Sequence, residues 1–146
     1  MTNTASTAST AGRLLLRVVV GFIFVAHGWQ KFSQFTIAGT TESFAQMGVP
    51  AAEIAAPFVA GLELVGGALL ILGLLTRPVG VLLALNMLVA LVQVHLSAGV
   101  FVSDGGYELV LLLGAGAAAI ALLGAGRASL DAALFGRRQG ALAKLA

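Results

Sequence analysis

The chain contains no cysteine among its 146 residues. That absence excludes a disulfide framework, a thiol nucleophile and thiolate metal ligands, and it leaves the redox compartment unmarked. Charge is nearly as scarce: Asp, Glu, Lys and Arg make up 10% of the residues, against 59% hydrophobic. Soluble domains carry about 25% charged residues, so this chain has too few to clothe a water-facing surface. A mean hydropathy of +1.02 points the same way. The eight basic residues form no stripe interleaved with aromatics, which sets nucleic acid aside as a partner. P-loop, Ser-His-Asp and metalloprotease-helix patterns are all missing, so hydrolysis has no residues to carry it. What remains is an integral membrane protein of a length that suits one compact domain.

Four long apolar runs are present, at 13–32, 56–75, 79–96 and 107–123. At about 1.5 Å per residue each covers roughly 25–33 Å, close to the ~30 Å hydrocarbon core of a bilayer. The expected fold is all-α: an antiparallel four-helix transmembrane bundle over residues 13–127. A count of five or three spans competes, depending on how the short connecting piece and the last run are treated. Residues 1–12 are small, polar and uncharged and read as a disordered tail. A signal peptide ending near Ala26-His27-Gly28 is the rival reading of the first run. Between the first two spans, TTESFAQMGVP predicts a short interfacial helix capped by Thr41 or Ser43 and ended by Gly48-Val49-Pro50, with Phe44 and Met47 on one edge. Pro57 falls in the first turn of the second span, and Thr76-Arg77-Pro78 makes the turn into the third. Residues 128–146 form a basic tail that starts with a short helix, Ala128–Phe135, capped by Ser129.

Arg13, Arg17, Arg77, Arg127, Arg137, Arg138 and Lys144 fall on one side of a four-span arrangement, and Lys31 alone on the other. The positive-inside rule then places both termini in the cytoplasm. Arg13 and Arg17 are positioned to snorkel toward headgroups. Helices in lipid meet where small residues let backbones approach; Gly61, Gly66, Gly67, Gly80, Ala84, Gly114 and Ala118 supply such faces.

One carboxylate, Glu63, lies about 10 Å below the outer start of its span at helical rise. An ionisable group there costs at least ~2.5–3.5 kcal/mol and is a functional-site candidate by default. His27 and Lys31 are four apart on one face near the outer end of the first span. Gln30 lies beside them, Gln93 and His95 end the third span, and Glu108 opens the fourth. The expected pocket sits in the outer half of the bundle, with Lys31 or His27 balancing Glu63, and His95 with Glu108 forming a second pair. Plain solvation near the interface competes for His95 and Glu108, and outward snorkelling competes for Lys31. Trp29 reads as an interfacial aromatic, and Asn86 as interhelical glue. A haem held between His27 and His95 is geometrically allowed but has no further support, and no metal site is expected.

The strings HGWQKF at 27–32, ELVGGALLILGLLTR at 63–77, Val94-His95 and GGYE at 105–108 resemble, in this order, the DoxX family of small bacterial membrane proteins. The resemblance runs from about Arg13 to Arg127 and implies a four-helix membrane bundle. It also implies links to oxidoreductase assemblies, since relatives resemble a subunit of thiosulfate:quinone oxidoreductase or associate with superoxide-detoxifying and sulfurtransferase proteins. His27, Lys31, Glu63, His95 and Glu108 match the family pattern, which brings no catalytic assignment with it. The leading expectation is a membrane subunit whose pocket takes a quinone or similar amphipathic molecule, with electrons arriving from a soluble redox partner. A non-enzymatic scaffold or chaperone recruiting soluble partners, and a small-solute or proton pathway, are the alternatives. Homo-oligomer formation is left open.

Overall fold

A computed structural model of the protein describes residues 3–135, so Arg137, Arg138 and Lys144 of the expected basic tail lie outside the described residues. Helix α1 spans Asn3–Ser33, α2 Thr36–Gln46, α3 Ala52–Leu72, α4 Thr76–Ala90, α5 Glu108–Leu123 and α6 Leu130–Phe135. The described residues hold no strand. Three segments are long and apolar enough to cross a membrane: Thr7–Ser33, Ala52–Leu72 and Thr76–Ala98. The apolar α5 is shorter, at 16 residues.

Helix α1 starts well before Arg13, because residues 3–11 contain neither glycine nor proline to stop it. Its core-facing residues Val20 and Phe24 meet Leu70 of α3, Val79, Leu83 and Met87 of α4, and Leu113, Ala117 and Ile120 of α5 in one buried cluster. The α1–α3 seam depends on small residues. A Cβ on Gly21 would stand 2.6 Å from the Gly67 carbonyl oxygen, and one on Gly28 would strike the backbone nitrogen of Leu64. Gly80 meets Ala117 and Ala121 of α5 in the same way. Gly61, expected on such a face, has nothing within 4 Å of a Cβ and takes no part in packing.

The turn between α3 and α4 lies earlier than Thr76-Arg77-Pro78. Gly73, at φ 68°, ends α3 with Gly73 N–H donating to Leu70 O and Leu74 N–H to Leu69 O, the paired bonds of a Schellman cap. Thr76 already belongs to α4, and Pro78 falls in its first turn. Pro57 is six residues into α3, in its second turn, because α3 begins at Ala52. Its missing N–H leaves Glu53 O without the usual helical donor. Helix α2 is also longer than expected: Thr36 Oγ1 accepts from Gly39 N–H at 3.2 Å. Thr41, within the helix, donates to Ile37 O and caps nothing.

The pole formed by the α3–α4 turn is closed by charges matched to helix ends. Arg17, expected to snorkel, is 1% exposed. Its guanidinium packs on Gly73, where an added Cβ would strike Nη1, and Nη2 donates to Ala128 O at 2.6 Å. Asp131 of α6 is 0% exposed and accepts from Leu75 N–H at 2.8 Å and Thr76 N–H at 3.0 Å. A cation thus stands at the C-terminus of α3 and an anion at the N-terminus of α4, as the helix dipoles favour. Arg77 donates to Ala121 O and Leu122 O, and Arg13 to Leu123 O, so the last carbonyls of α5 are satisfied too. Ser129 does cap α6, accepting from Ala132 N–H at 3.1 Å.

Asp131→Ala would orphan two helix-start donors and leave Arg17 buried beside no counter-charge. We expect a loss of about 2–6 kcal/mol, about 1–3 for each buried backbone donor left unpaired, with Asp131→Asn falling between. Thermal unfolding in mild detergent measures this; an unchanged midpoint for the alanine variant would refute the role given to Asp131.

Candidate functional site

At the opposite pole the chain leaves a cavity of about 470 Å³. The approach of α1 to α3 at Gly28 brings Lys31 over Glu63, and Lys31 Nζ donates to Glu63 Oε2 at 2.5 Å. The side chains are 16% and 5% exposed. Asn86 of α4 reaches the other carboxylate oxygen, donating from Nδ2 to Oε1 at 3.4 Å. Glu63 therefore has a partner on each oxygen, drawn from two different helices. Because α3 starts at Ala52, Glu63 sits about 16 Å along the helix from its start, farther than the apolar run alone implied.

His27, one turn from Lys31, lines the cavity within electrostatic reach of both Lys31 and Glu63. Its ring makes no hydrogen bond among the described residues, and neither does the lining residue Gln93. These two polar groups share the wall with Lys31, Glu63 and Asn86 and with apolar residues that include Phe24, Met87, Leu109 and Leu113. Helix α2 and the chain after it complete that wall with Phe44, Met47 and Val49. The edge of α2 expected to rest in the interface is thus turned to the cavity. Buried Thr40 ties α2 to α1, its hydroxyl lying 2.8 Å from Thr36 O and 3.2 Å from Lys31 O.

Helix α4 does not reach the loop as a plain α-helix. Leu91–His95 is a π turn, continued by a 3₁₀ turn at Leu96–Ala98. The extra residue in the π turn rotates the side chains beyond it by about 100° around the axis. His95 lines the cavity with its Nδ1 2.6 Å from Gly105 O; since a carbonyl only accepts, the proton sits on Nδ1. Glu108 does not join it. Its Oε1 accepts from Val102 N–H at 2.7 Å, and it is absent from the cavity wall. The expected His95–Glu108 pair is not formed, because the 99–108 loop bonds to itself and consumes both side chains. Gln30 is also elsewhere, donating to Gln34. Among the described residues no three His, Asp or Glu side chains gather as a metal centre requires.

Removing one member of the Lys31–Glu63 pair leaves the other charge buried. Lys31→Met and Glu63→Leu are each expected to cost ~3–5 kcal/mol, while the double variant recovers most of that loss. A double-mutant cycle on detergent unfolding checks it, and additive losses would show that the two charges do not depend on each other.

The DoxX family model matches residues 12–96, a stretch holding His27, Lys31, Glu63, Asn86 and His95 and ending before Glu108. A Bacillus subtilis protein named "Putative oxidoreductase CatD" is 42% identical over 102 residues, covering 70% of this chain and 72% of that protein. A Haemophilus influenzae protein is 38% identical over 101 residues, covering 66% of this chain and 71% of its own length. An uncharacterized membrane protein of Mycobacterium tuberculosis is 36% identical over 94 residues, which is 64% of this chain and 55% of that protein. No solved structure matches the chain. The matched motifs and the apolar helices that carry them make the chain a member of the DoxX family of membrane proteins.

Proposed function

We propose that this DoxX protein is the membrane subunit of an oxidoreductase or oxidative-stress assembly, and that its cavity receives a quinone or a similar amphipathic molecule. The observation that carries this reading is the composition of the cavity wall: mostly apolar, with His27 and Gln93, unpartnered among the described residues, beside a neutralised Lys31–Glu63 pair. A quinone ring offers carbonyl acceptors and an apolar face, and its tail suits a slot of about 470 Å³ that opens among lipid-facing helices. Reduction of a quinone takes up two electrons and two protons. The chain has no evident electron carrier, so the electrons come from a partner protein, and His27 beside Lys31 and Glu63 is the group placed to pass protons. A relative named for oxidoreductase activity is consistent with that role.

In this reading α1, α3, α4 with its π turn, and α5 form an antiparallel four-span bundle in a bacterial inner membrane. The arginine-rich pole faces the cytoplasm with both termini, and the cavity opens toward the outer leaflet. Glu108 acts by holding the outer loop and does not touch the ligand.

Protein extracted with organic solvent is expected to release a quinone, and a short-chain quinone added to stripped protein should raise the unfolding temperature. His27→Phe should weaken that binding about 2–10-fold, the worth of one hydrogen bond, while Leu113→Trp, which fills the slot, should abolish it. Stripped protein that binds no quinone yet captures protein partners stoichiometrically from native membranes would replace this proposal with a scaffold.

A further inference from the structure

A second, smaller cavity of about 310 Å³ lies at the arginine-rich pole, between the start of α1 and the segment leading into α6. Its wall is Ser9, Thr10, Arg13, Gly126, Arg127 and Ala132. Two arginines therefore line one space that no carboxylate among the described residues lines. The nearest acid in the sequence of that segment, Asp131, is fully buried and spent on Leu75 N–H and Thr76 N–H. Arg13 is anchored, with Nη1 on Leu123 O at 2.9 Å. That bond takes one of its five donors and fixes the direction of the rest. Arg127 is exposed and binds no partner among the described residues. A pair of positive charges around a concave space, with the Ser9 hydroxyl beside them, is a receptor for a phosphate group.

We propose that this cavity binds the phosphate headgroup of an anionic phospholipid. The shared chemistry of a lipid phosphate and a free phosphate is the same, and the surroundings select the lipid. Leu14, Leu122, Leu123 and Leu130 are all exposed around the site, Leu122 at 79%, and Arg13 reaches the carbonyl that ends the apolar α5. A headgroup in the cavity thus has acyl chains continuing along exposed leucines, at the depth where a basic pocket between helices meets headgroups. A soluble anion would gain nothing from that surface. The site draws on none of the residues of the larger cavity, so it stands apart from the quinone proposal.

Native mass spectrometry of the delipidated full chain tests it, with phosphatidylglycerol, phosphatidylcholine or inorganic phosphate added. The expected result is a one-to-one adduct with phosphatidylglycerol that survives activation, no comparable adduct with phosphatidylcholine, and about five-fold weaker binding for Arg127→Gln. Arg127→Glu should abolish the adduct. Arg127 is exposed and makes no hydrogen bond or ion pair among the described residues, so its variants keep the test meaningful even where Arg13→Gln unfolds the chain. Equal adducts for both lipids, or undiminished binding by Arg127→Glu, would overturn the proposal. Displacement of the lipid by millimolar inorganic phosphate would overturn the choice of a lipid and leave a soluble-anion site.

Discussion

A carboxylate placed among apolar helices must be neutralised there, because neither lipid nor the packed core can hydrate it. Glu63 imposes that condition on the rest of the fold. Lys31 can meet it only if α1 runs close against α3, and that closeness exists because Gly21 and Gly28 carry no Cβ where the opposing backbone passes. The glycine seam and the ion pair are therefore one construction. Asn86 extends it to α4 by holding the second oxygen. A buried pair of this kind adds little net stability relative to well-packed apolar residues. Its value lies in fixing which helices meet and at what register, and in presenting a polar but uncharged floor to the cavity above it.

The opposite pole solves a related problem by other means. Helix ends leave backbone donors and acceptors without partners, and here side chains of matching charge supply them. Asp131 does so at the start of α4, and Arg77 and Arg13 at the end of α5, while Arg17 stands at the end of α3 as a charge only, its Nη2 donating to Ala128 O. The short helix α6 is held in place by this set, since Asp131 N–H also donates to Gly73 O at 2.9 Å. The result is a closed pole. No equivalent lock exists among the described residues across the other end, where α4 loosens into its π turn and α2 lies over the opening.

Much of this was legible from the residues alone, and the reason is periodicity. His27 and Lys31 share a helical face, Glu63 is too short and too deep to reach water, and the apolar runs bracket them, so their convergence follows from spacing and depth. The misses share a different cause. Asp131 and Arg17 bind backbone atoms, which carry no residue-specific signal; the one hint was a lone acid just after a capping serine in a basic segment. His95 and Glu108 looked like a pair because they end facing spans, yet the loop between those spans offered each a nearer backbone partner. Pro57 was misplaced because α3 starts four residues sooner than its apolar run, and helix ends follow capping and turn geometry more than hydropathy. The cavity wall from α2 was readable as Phe44 and Met47 on one edge, but which way that edge turned depends on Thr40 meeting the Lys31 carbonyl, a contact that spacing does not encode.

The balance of charge at the cavity bears on what can occupy it. Lys31 and Glu63 cancel, and Asn86 adds no charge, so an ionic ligand would leave water for a site with no net attraction to offer. It would also have to break a pair already made. An uncharged ligand with hydrogen-bonding groups meets the opposite situation: His27 and Gln93 stand without partners among the described residues, and leaving them dry and unpaired costs free energy that such a ligand recovers. The π turn favours this further, since it re-aims the residues after Leu91 and sets His95 on the cavity rim. There its own hydrogen bond to the Gly105 carbonyl keeps the ring from competing for Glu63. Neutrality at the floor, unmet polar groups on the wall and an apolar remainder are what the proposed amphipathic ligand rests on, and they depend on the same pairing that lets Glu63 exist among these helices at all.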